Sequence, residues 1–156
     1  MNMPNLSPLL AGVLLLAFNS ISSRAEDIPQ LRLMSVTELK ANGSGHFVTK
    51  ASINGNDITV IVDTGATAVA LSFEDAQEAG LRPGNLDFNI PVATANGVAK
   101  AARVTIDRIE VGSVKADDVD ALVLPEGALK GTLLGMTFLN RMRSFRVEDG
   151  MLYLRD

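Results

Sequence analysis

The chain has 156 residues, a formal net charge of −4 and no cysteine. This length suits one domain but not comfortably two. The acidic balance leaves no basic patch to neutralise phosphates, which excludes nucleic acid as a partner. The lack of cysteine excludes disulfides, thiolate metal sites and a cysteine nucleophile. Stability must therefore come from a packed core or from subunit association.

The N-terminal segment is predicted to be a signal peptide. Residues 9–18 form an uninterrupted apolar run of the length found in such peptides, short for a membrane-spanning helix. Ser23-Arg24-Ala25 follows as a cleavage site of the small-x-small type. Because residues 1–8 contain no Lys or Arg, an uncleaved N-terminal anchor is the alternative. We therefore expect export to the periplasm or beyond, with membrane contact only through residues 1–25 if they persist.

The next segments predict a spacer followed by short strands. Residues 26–45 mix polar and apolar positions without a clear period, which suits a spacer or N-terminal arm. The folded domain is assigned to residues 46–156. Residues 47–53 and 58–62 alternate like strands and flank Asn54-Gly55, a strong hairpin signal. Ser72 is placed to cap a short helix that ends at Gly80.

The second half of the chain continues the pattern of short strands. Two strands at 88–94 and 98–106 close around residues 95–97, and further strands are predicted at 109–111 and 119–124. An apolar segment, 133–139, leads into a short helix ending near Met142, and a final hairpin at 145–154 turns at Asp149-Gly150. Many short strands with regular turn signals predict an all-β fold, a small closed barrel with one or two short helices.

A strongly apolar strand delivers an aspartate into a loop of small residues. The apolar run Val60-Ile61-Val62 is followed directly by the loop that begins with this aspartate, Asp63. Gly65 permits close approach of a second backbone, and Thr64 offers a hydroxyl that can bond across a symmetric interface. An ordinary Asx turn after a strand is the alternative. The candidate loop consists of Asp63, Thr64, Gly65, Ala66 and Thr67.

Over about residues 47–154 the sequence resembles the retropepsin-like aspartic peptidases, in particular small bacterial members that are secreted or linked to membranes. The resemblance makes Asp63 catalytic and the residues after it the catalytic-loop support. It implies the acid-protease barrel and an extended peptide or protein substrate, with no metal or cofactor. It further implies a substrate-covering flap at Thr94-Ala95-Asn96-Gly97 and a motif beneath the active site at Leu133-Leu134-Gly135.

The chemistry of such an enzyme requires two carboxyl groups. One ionised carboxylate takes a proton from water while a second, protonated carboxyl donates to the scissile carbonyl. Two like charges about 3 Å apart cannot both ionise, so the pair shares one proton. The sequence contains one Asp-Thr-Gly. We therefore expect a C2 homodimer with one Asp63 from each subunit.

Two other interpretations remain open at this stage. The chain could be a non-catalytic dimeric peptide-binding module of the same fold, or a domain tethered to the membrane by residues 1–25. The flap segment could be an ordinary Asn-Gly hairpin, and Leu133-Leu134-Gly135 could be plain core. A Ser-His-Asp triad would have to use His46, the single histidine, yet no Gly-x-Ser-x-Gly elbow is present.

We predict that the exported protein begins at Glu26, because cleavage after Ala25 follows the short apolar run. N-terminal sequencing and intact mass of protein recovered outside the cytoplasm test this prediction. A full-length chain that retains Met1 in the membrane fraction would support the anchor instead.

Overall fold

The computed structural model describes residues 34–94 and 97–156, which form ten strands and two short α-helices. The predicted signal peptide, residues 1–25, lies outside these residues. In the part described, no helix has the length and apolarity needed to cross a membrane. In chain order the strands are β1 (Val36–Lys40), β2 (Phe47–Ile53), β3 (Asn56–Val62), β4 (Val69–Leu71), β5 (Ile90–Thr94), β6 (Gly97–Val111), β7 (Val114–Val123), β8 (Thr132–Leu134), β9 (Ser144–Glu148) and β10 (Met151–Arg155).

Six strands close into a barrel. Their order is β2-β3-β8-β4-β7-β6, and the far end of β6 pairs back onto β2 at Ser52↔Glu110 and Ile53↔Ile109. β8 lies between β3 and β4, parallel to the first and antiparallel to the second. β5 pairs with β6 and extends the sheet beyond the barrel. The predicted all-β closed barrel with short helices is confirmed.

The barrel interior is a packed apolar core. In β7, for example, Val114, Ala116, Val119, Ala121 and Val123 are buried, and two exposed residues, 117 and 118, separate the first two from the last three. Each fully buried aliphatic side chain contributes about 1.5–3 kcal/mol relative to an exposed one. The largest fully buried side chains come from both helical and strand segments: Phe138, Ile53, Ile58, Leu71, Ile106, Ile109, Leu134 and Leu139.

The first hairpin and the first helix form where the sequence predicts them. Asn54 and Gly55 join β2 to β3 with φ angles of 50° and 85°, as a two-residue hairpin turn requires. Helix α1 (Phe73–Glu78) is capped by Ser72, whose Oγ accepts a hydrogen bond of 3.1 Å from the Asp75 amide. Gly80 follows the helix with a φ of 76°.

Several predicted boundaries differ from the structure. The strand predicted at 119–124 is β7, which begins five residues earlier, at Val114. Helix α2 (Met136–Leu139) ends before the predicted Met142, and hydrogen-bonded turns complete the segment. The predicted strands at 98–106 and 109–111 are one continuous strand, β6. Asp107 and Arg108 are both exposed and interrupt its alternation, but pairing with β7 continues on each side, at Ile106 and Ile109.

The predicted spacer also contains a strand. Within residues 26–45, β1 pairs with β10, which pairs with β9 in a second, three-stranded sheet. The alternation of β1 is hard to detect because its buried position is a polar residue, Thr37, which is 8% exposed. The final hairpin, β9 with β10, turns at Asp149-Gly150 as predicted.

Thr37 joins the three-stranded sheet to the barrel. Its Oγ1 donates to the Val111 carbonyl at 2.7 Å and accepts from the Ser113 amide at 2.9 Å. Ser113 returns a hydrogen bond to the Val36 carbonyl at 2.8 Å. Gly112, with a φ of 59°, leaves room for Thr37, because a Cβ there would lie 2.7 Å from Oγ1.

We predict that Thr37→Val lowers the free energy of unfolding by about 1–3 kcal/mol, because it leaves the Val111 carbonyl and the Ser113 amide without their partner. Thr105→Val is the matched control, since Thr105 is an exposed strand residue. It should change the free energy by no more than about 0.5 kcal/mol. Urea unfolding of both variants measures the difference, and equal stabilities would contradict the role of Thr37.

Candidate active site

Asp63 lies at the end of β3, where the chain leaves the barrel in the loop 63–68 before returning as β4. Its amide donates to the Leu134 carbonyl at 3.0 Å, which extends the pairing of β3 with β8 by one residue. Its carboxylate Oδ1 accepts a hydrogen bond of 2.8 Å from the Gly65 amide. The side chain of Asp63 is half-buried, whereas Thr64 is exposed. The loop therefore holds the carboxylate in one direction while leaving its surroundings open.

The segment after β8 passes directly beneath this loop. Gly135 packs against the loop backbone so closely that a Cβ would lie 2.7 Å from the Ala66 carbonyl oxygen and closer still to that of Ala68. The Met136 amide donates to the Ala66 carbonyl at 2.9 Å. A side chain at position 135 would therefore clash with the backbone of the Asp63 loop.

The two leucines of the same motif lie in different environments, one in the core and one at the cleft. Leu134 is fully buried in the barrel core, opposite Val62 of β3. Leu133 is half-buried and pairs with Ile61 on one side and Ala70 on the other. Leu133 also lines the cleft that contains Asp63. The motif is thus partly core, as the simpler interpretation held, and partly a wall of the cleft.

An open cleft of about 670 Å³ lies between the Asp63 loop and the β5–β6 hairpin. Asp63 and residues 65–68 form one side, and residues 91–94 of β5 form another. Asp63 is the one ionisable side chain in the described lining. Its carboxylate therefore faces a largely apolar space, which is completed by Ala70, Leu122, Leu124, Leu129 and Leu133.

The predicted flap residues are only partly described. Thr94 lines the cleft, and its Oγ1 donates to the Gly97 carbonyl at 2.8 Å across the end of the hairpin. Ala95 and Asn96, the predicted tip, lie outside the described residues. Thr67 of the loop is exposed and lines the cleft, and Ala66 is half-buried beside it.

Sequence reasoning missed three apolar residues of the cleft lining. Leu122, Leu124 and Leu129 line the cleft, but in the sequence they look like other core or strand residues. Leu122 reaches the cleft because β7 lies next to β4, a parallel pairing of segments far apart in the chain. Leu124 and Leu129 lie in the segment that follows β7. The local pattern carries no signal for this pairing.

Two other ionisable residues, His46 and Asp117, lie outside the cleft. His46 is exposed and is not among the lining residues. Asp117 belongs to β7, and a hydrogen bond of 2.6 Å from Arg108 Nε lowers the pKa of its carboxyl below the usual range. Across residues 34–94 and 97–156, no three His, Asp or Glu side chains gather in a way that could hold a metal ion.

Comparison with known proteins identifies the family. Residues 49–141, more than half of the chain, match the family model described as "gag-polyprotein putative aspartyl protease". The crystal structure of a retropepsin-like aspartic protease from Rickettsia conorii superposes with a TM-score of 0.70 and 34% identity, over 78% of this chain and 91% of that one. The chain belongs to the retropepsin-like aspartic protease family. The resemblance seen in its motifs is thereby confirmed.

Two further proteins resemble this chain, one in fold alone and one in sequence. EIAV protease in complex with the inhibitor HBY-793 has a TM-score of 0.51 and 20% identity over 62% of this chain and 88% of that one, a likeness of fold alone. The uncharacterized protein in cobV 5'region of Sinorhizobium sp is 43% identical over 113 residues, 72% of this chain. This retropepsin-like chain spans about half the length of that curated relative, 48%.

We predict that Gly135→Ala destabilises the protein by at least about 1–3 kcal/mol, because the new methyl group must displace loop backbone rather than a flexible side chain. Gly43→Ala is the matched control, since no atom lies within 4 Å of a Cβ at that position. Thermal and urea unfolding compare the two. A Gly135→Ala protein as stable as Gly43→Ala would show that the close packing is not needed.

Proposed function

We propose that this protein is an aspartic endopeptidase that hydrolyses peptide bonds in extended peptide or protein substrates, with Asp63 as its catalytic carboxylate. The observation that carries the proposal is the Asp63 carboxylate itself. The Gly65 amide fixes it at 2.8 Å, and it lies in an open, largely apolar cleft beneath the β5–β6 hairpin. Membership of the retropepsin-like family supports the same reaction class.

The proposed reaction uses water as the nucleophile. An ionised carboxylate removes a proton from the water as its oxygen attacks the scissile carbonyl carbon. A second carboxyl, protonated at that moment, donates its proton to the carbonyl oxygen. Collapse of the tetrahedral intermediate breaks the C–N bond, and the carboxyl that took the proton from water gives it to the leaving nitrogen. The other carboxylate regains a proton from a hydroxyl of the intermediate, which becomes the carboxyl group of the product. The two carboxyl groups thus hold one proton between them before each cycle.

We propose that the second carboxyl is Asp63 of another copy, in a C2 homodimer with the active site on its axis. The sequence contains one Asp-Thr-Gly, and a single carboxyl cannot act as base and acid in the same step. The exposure of Thr64 beside the half-buried Asp63 supports this arrangement, because the loop presents an open polar face. A hydroxyl at this point can donate a hydrogen bond across the two-fold axis.

The cleft favours substrates in extended conformation with apolar side chains near the scissile bond. In the part of the chain described, β5 pairs with β6 alone, so an extended peptide can add to the opposite edge of β5. Aliphatic residues such as Leu122 and Leu129 can receive an apolar side chain. Export guided by residues 1–25 remains part of the proposal, and it would place these substrates outside the cytoplasm.

We predict that Asp63→Asn lowers kcat/KM more than about 100-fold without unfolding the protein, because the amide preserves shape but cannot act as base. Asp57→Asn is the matched control, since Asp57 lies on the same strand, is exposed and is remote from the cleft lining. Cleavage of a mixed peptide library by purified wild type and both variants provides the test. An Asp63→Asn enzyme as active as Asp57→Asn would exclude Asp63 as the catalytic residue.

A further inference from the structure

Four consecutive residues, 134–137, hold the Asp63 loop at three points. The Leu134 carbonyl accepts from the Asp63 amide at 3.0 Å, where the loop begins. The Met136 amide donates to the Ala66 carbonyl at 2.9 Å, in the middle of the loop. Thr137 Oγ1 accepts from the Val69 amide at 2.9 Å, where the loop ends and β4 begins.

The third contact differs from the other two because it depends on a side chain. Backbone groups form the first two hydrogen bonds, so they do not depend on the side chain at 134 or 136, provided that residue 136 is not proline. The Val69 bond needs an oxygen on residue 137. Val69 is fully buried, and its amide would lose the partner that satisfies it if that oxygen were removed.

Val69 follows Ala66 by three residues in the chain, and hydrogen bonds connect Ala66 and Gly65 to Asp63. The loop is closed internally by a 3.3 Å hydrogen bond from the Ala66 amide to the Asp63 carbonyl. The Gly65 amide, between these residues, holds the carboxylate. A displacement at Val69 is therefore passed through few residues to the donor that orients the Asp63 side chain.

We infer that Thr137 is a positioning residue for the catalytic carboxylate. Its hydroxyl fixes the end of the loop, and thereby the direction of Asp63, without touching substrate. The inference rests on the proposed function for its effect on catalysis. Its structural part, that the Thr137 hydroxyl restrains the loop, is independent of any activity.

Three variants separate positioning from general stability. Thr137→Val keeps the shape and removes the acceptor, whereas Thr137→Ser keeps the acceptor. Thr132→Val is the matched control, because Thr132 is a fully buried residue at the other end of β8 whose Oγ1 donates to Asp75 Oδ2 at 2.7 Å. All three are measured as full-length protein on a peptide that wild type cleaves.

We expect Thr137→Val to lower kcat about tenfold or more with KM nearly unchanged, since small misplacements of a reacting group are costly. Thr137→Ser should restore kcat to within about twofold of wild type, because it supplies the same oxygen. Thr132→Val should lower the unfolding temperature but not kcat. Equal kcat values for Thr137→Val and Thr132→Val would overturn the inference.

Amide hydrogen exchange gives a readout that needs no turnover. Exchange at Val69 should be at least about tenfold faster in Thr137→Val than in wild type or Thr137→Ser, because the amide has lost its acceptor. Unchanged exchange would overturn the inference, even if wild type cleaved no peptide and the proposed function had failed. If Thr137→Val does not fold, Thr137→Ala replaces it in both measurements.

Discussion

The absence of a side chain at Gly135 is the constraint on which the geometry around Asp63 depends. The chain passes so close beneath the Asp63 loop that a single Cβ would collide with two loop carbonyl groups. That proximity brings residues 134–137 within hydrogen-bonding distance of the beginning, middle and end of the loop. β8 lies between β3 and β4 in the sheet. The loop that joins β3 to β4 must therefore pass over β8, a strand about 70 residues further along the chain. The position of the Asp63 loop therefore depends on the strand order of the barrel.

A firmly held carboxylate is half of what peptide hydrolysis requires. The monomer orients Asp63 through the Gly65 amide and surrounds it with apolar residues on the cleft side. A second carboxyl must lie within about 3 Å for the pair to share a proton. Under the proposed function this group comes from another copy, so assembly and catalysis become one event. Under the same proposal, the Asp63 loop is exposed because the second subunit packs against it in the dimer.

Much of the fold follows from local signals in the sequence. Asn54-Gly55 predicts a two-residue hairpin because both residues tolerate positive φ, and Ser72 predicts a helix start because its hydroxyl can cap a free amide. The Asp63 loop is recognisable because a buried strand rarely ends in such small residues. β1 escapes prediction because Thr37 fills its buried position with a polar side chain whose partners lie more than 70 residues away. Leu122 escapes prediction because the long-range pairing of β4 with β7 places it in the cleft.

The central claim is that two copies of Asp63 form one active centre, and a mixing experiment tests it most directly. Wild type and Asp63→Asn are combined in equal amounts, allowed to exchange subunits and assayed at fixed total protein. Random exchange leaves about one dimer in four with both carboxyls, so activity per wild-type chain should fall to about half. A wild-type chain that keeps its full activity in the mixture, together with a monomer mass by light scattering during turnover, would contradict the shared active site.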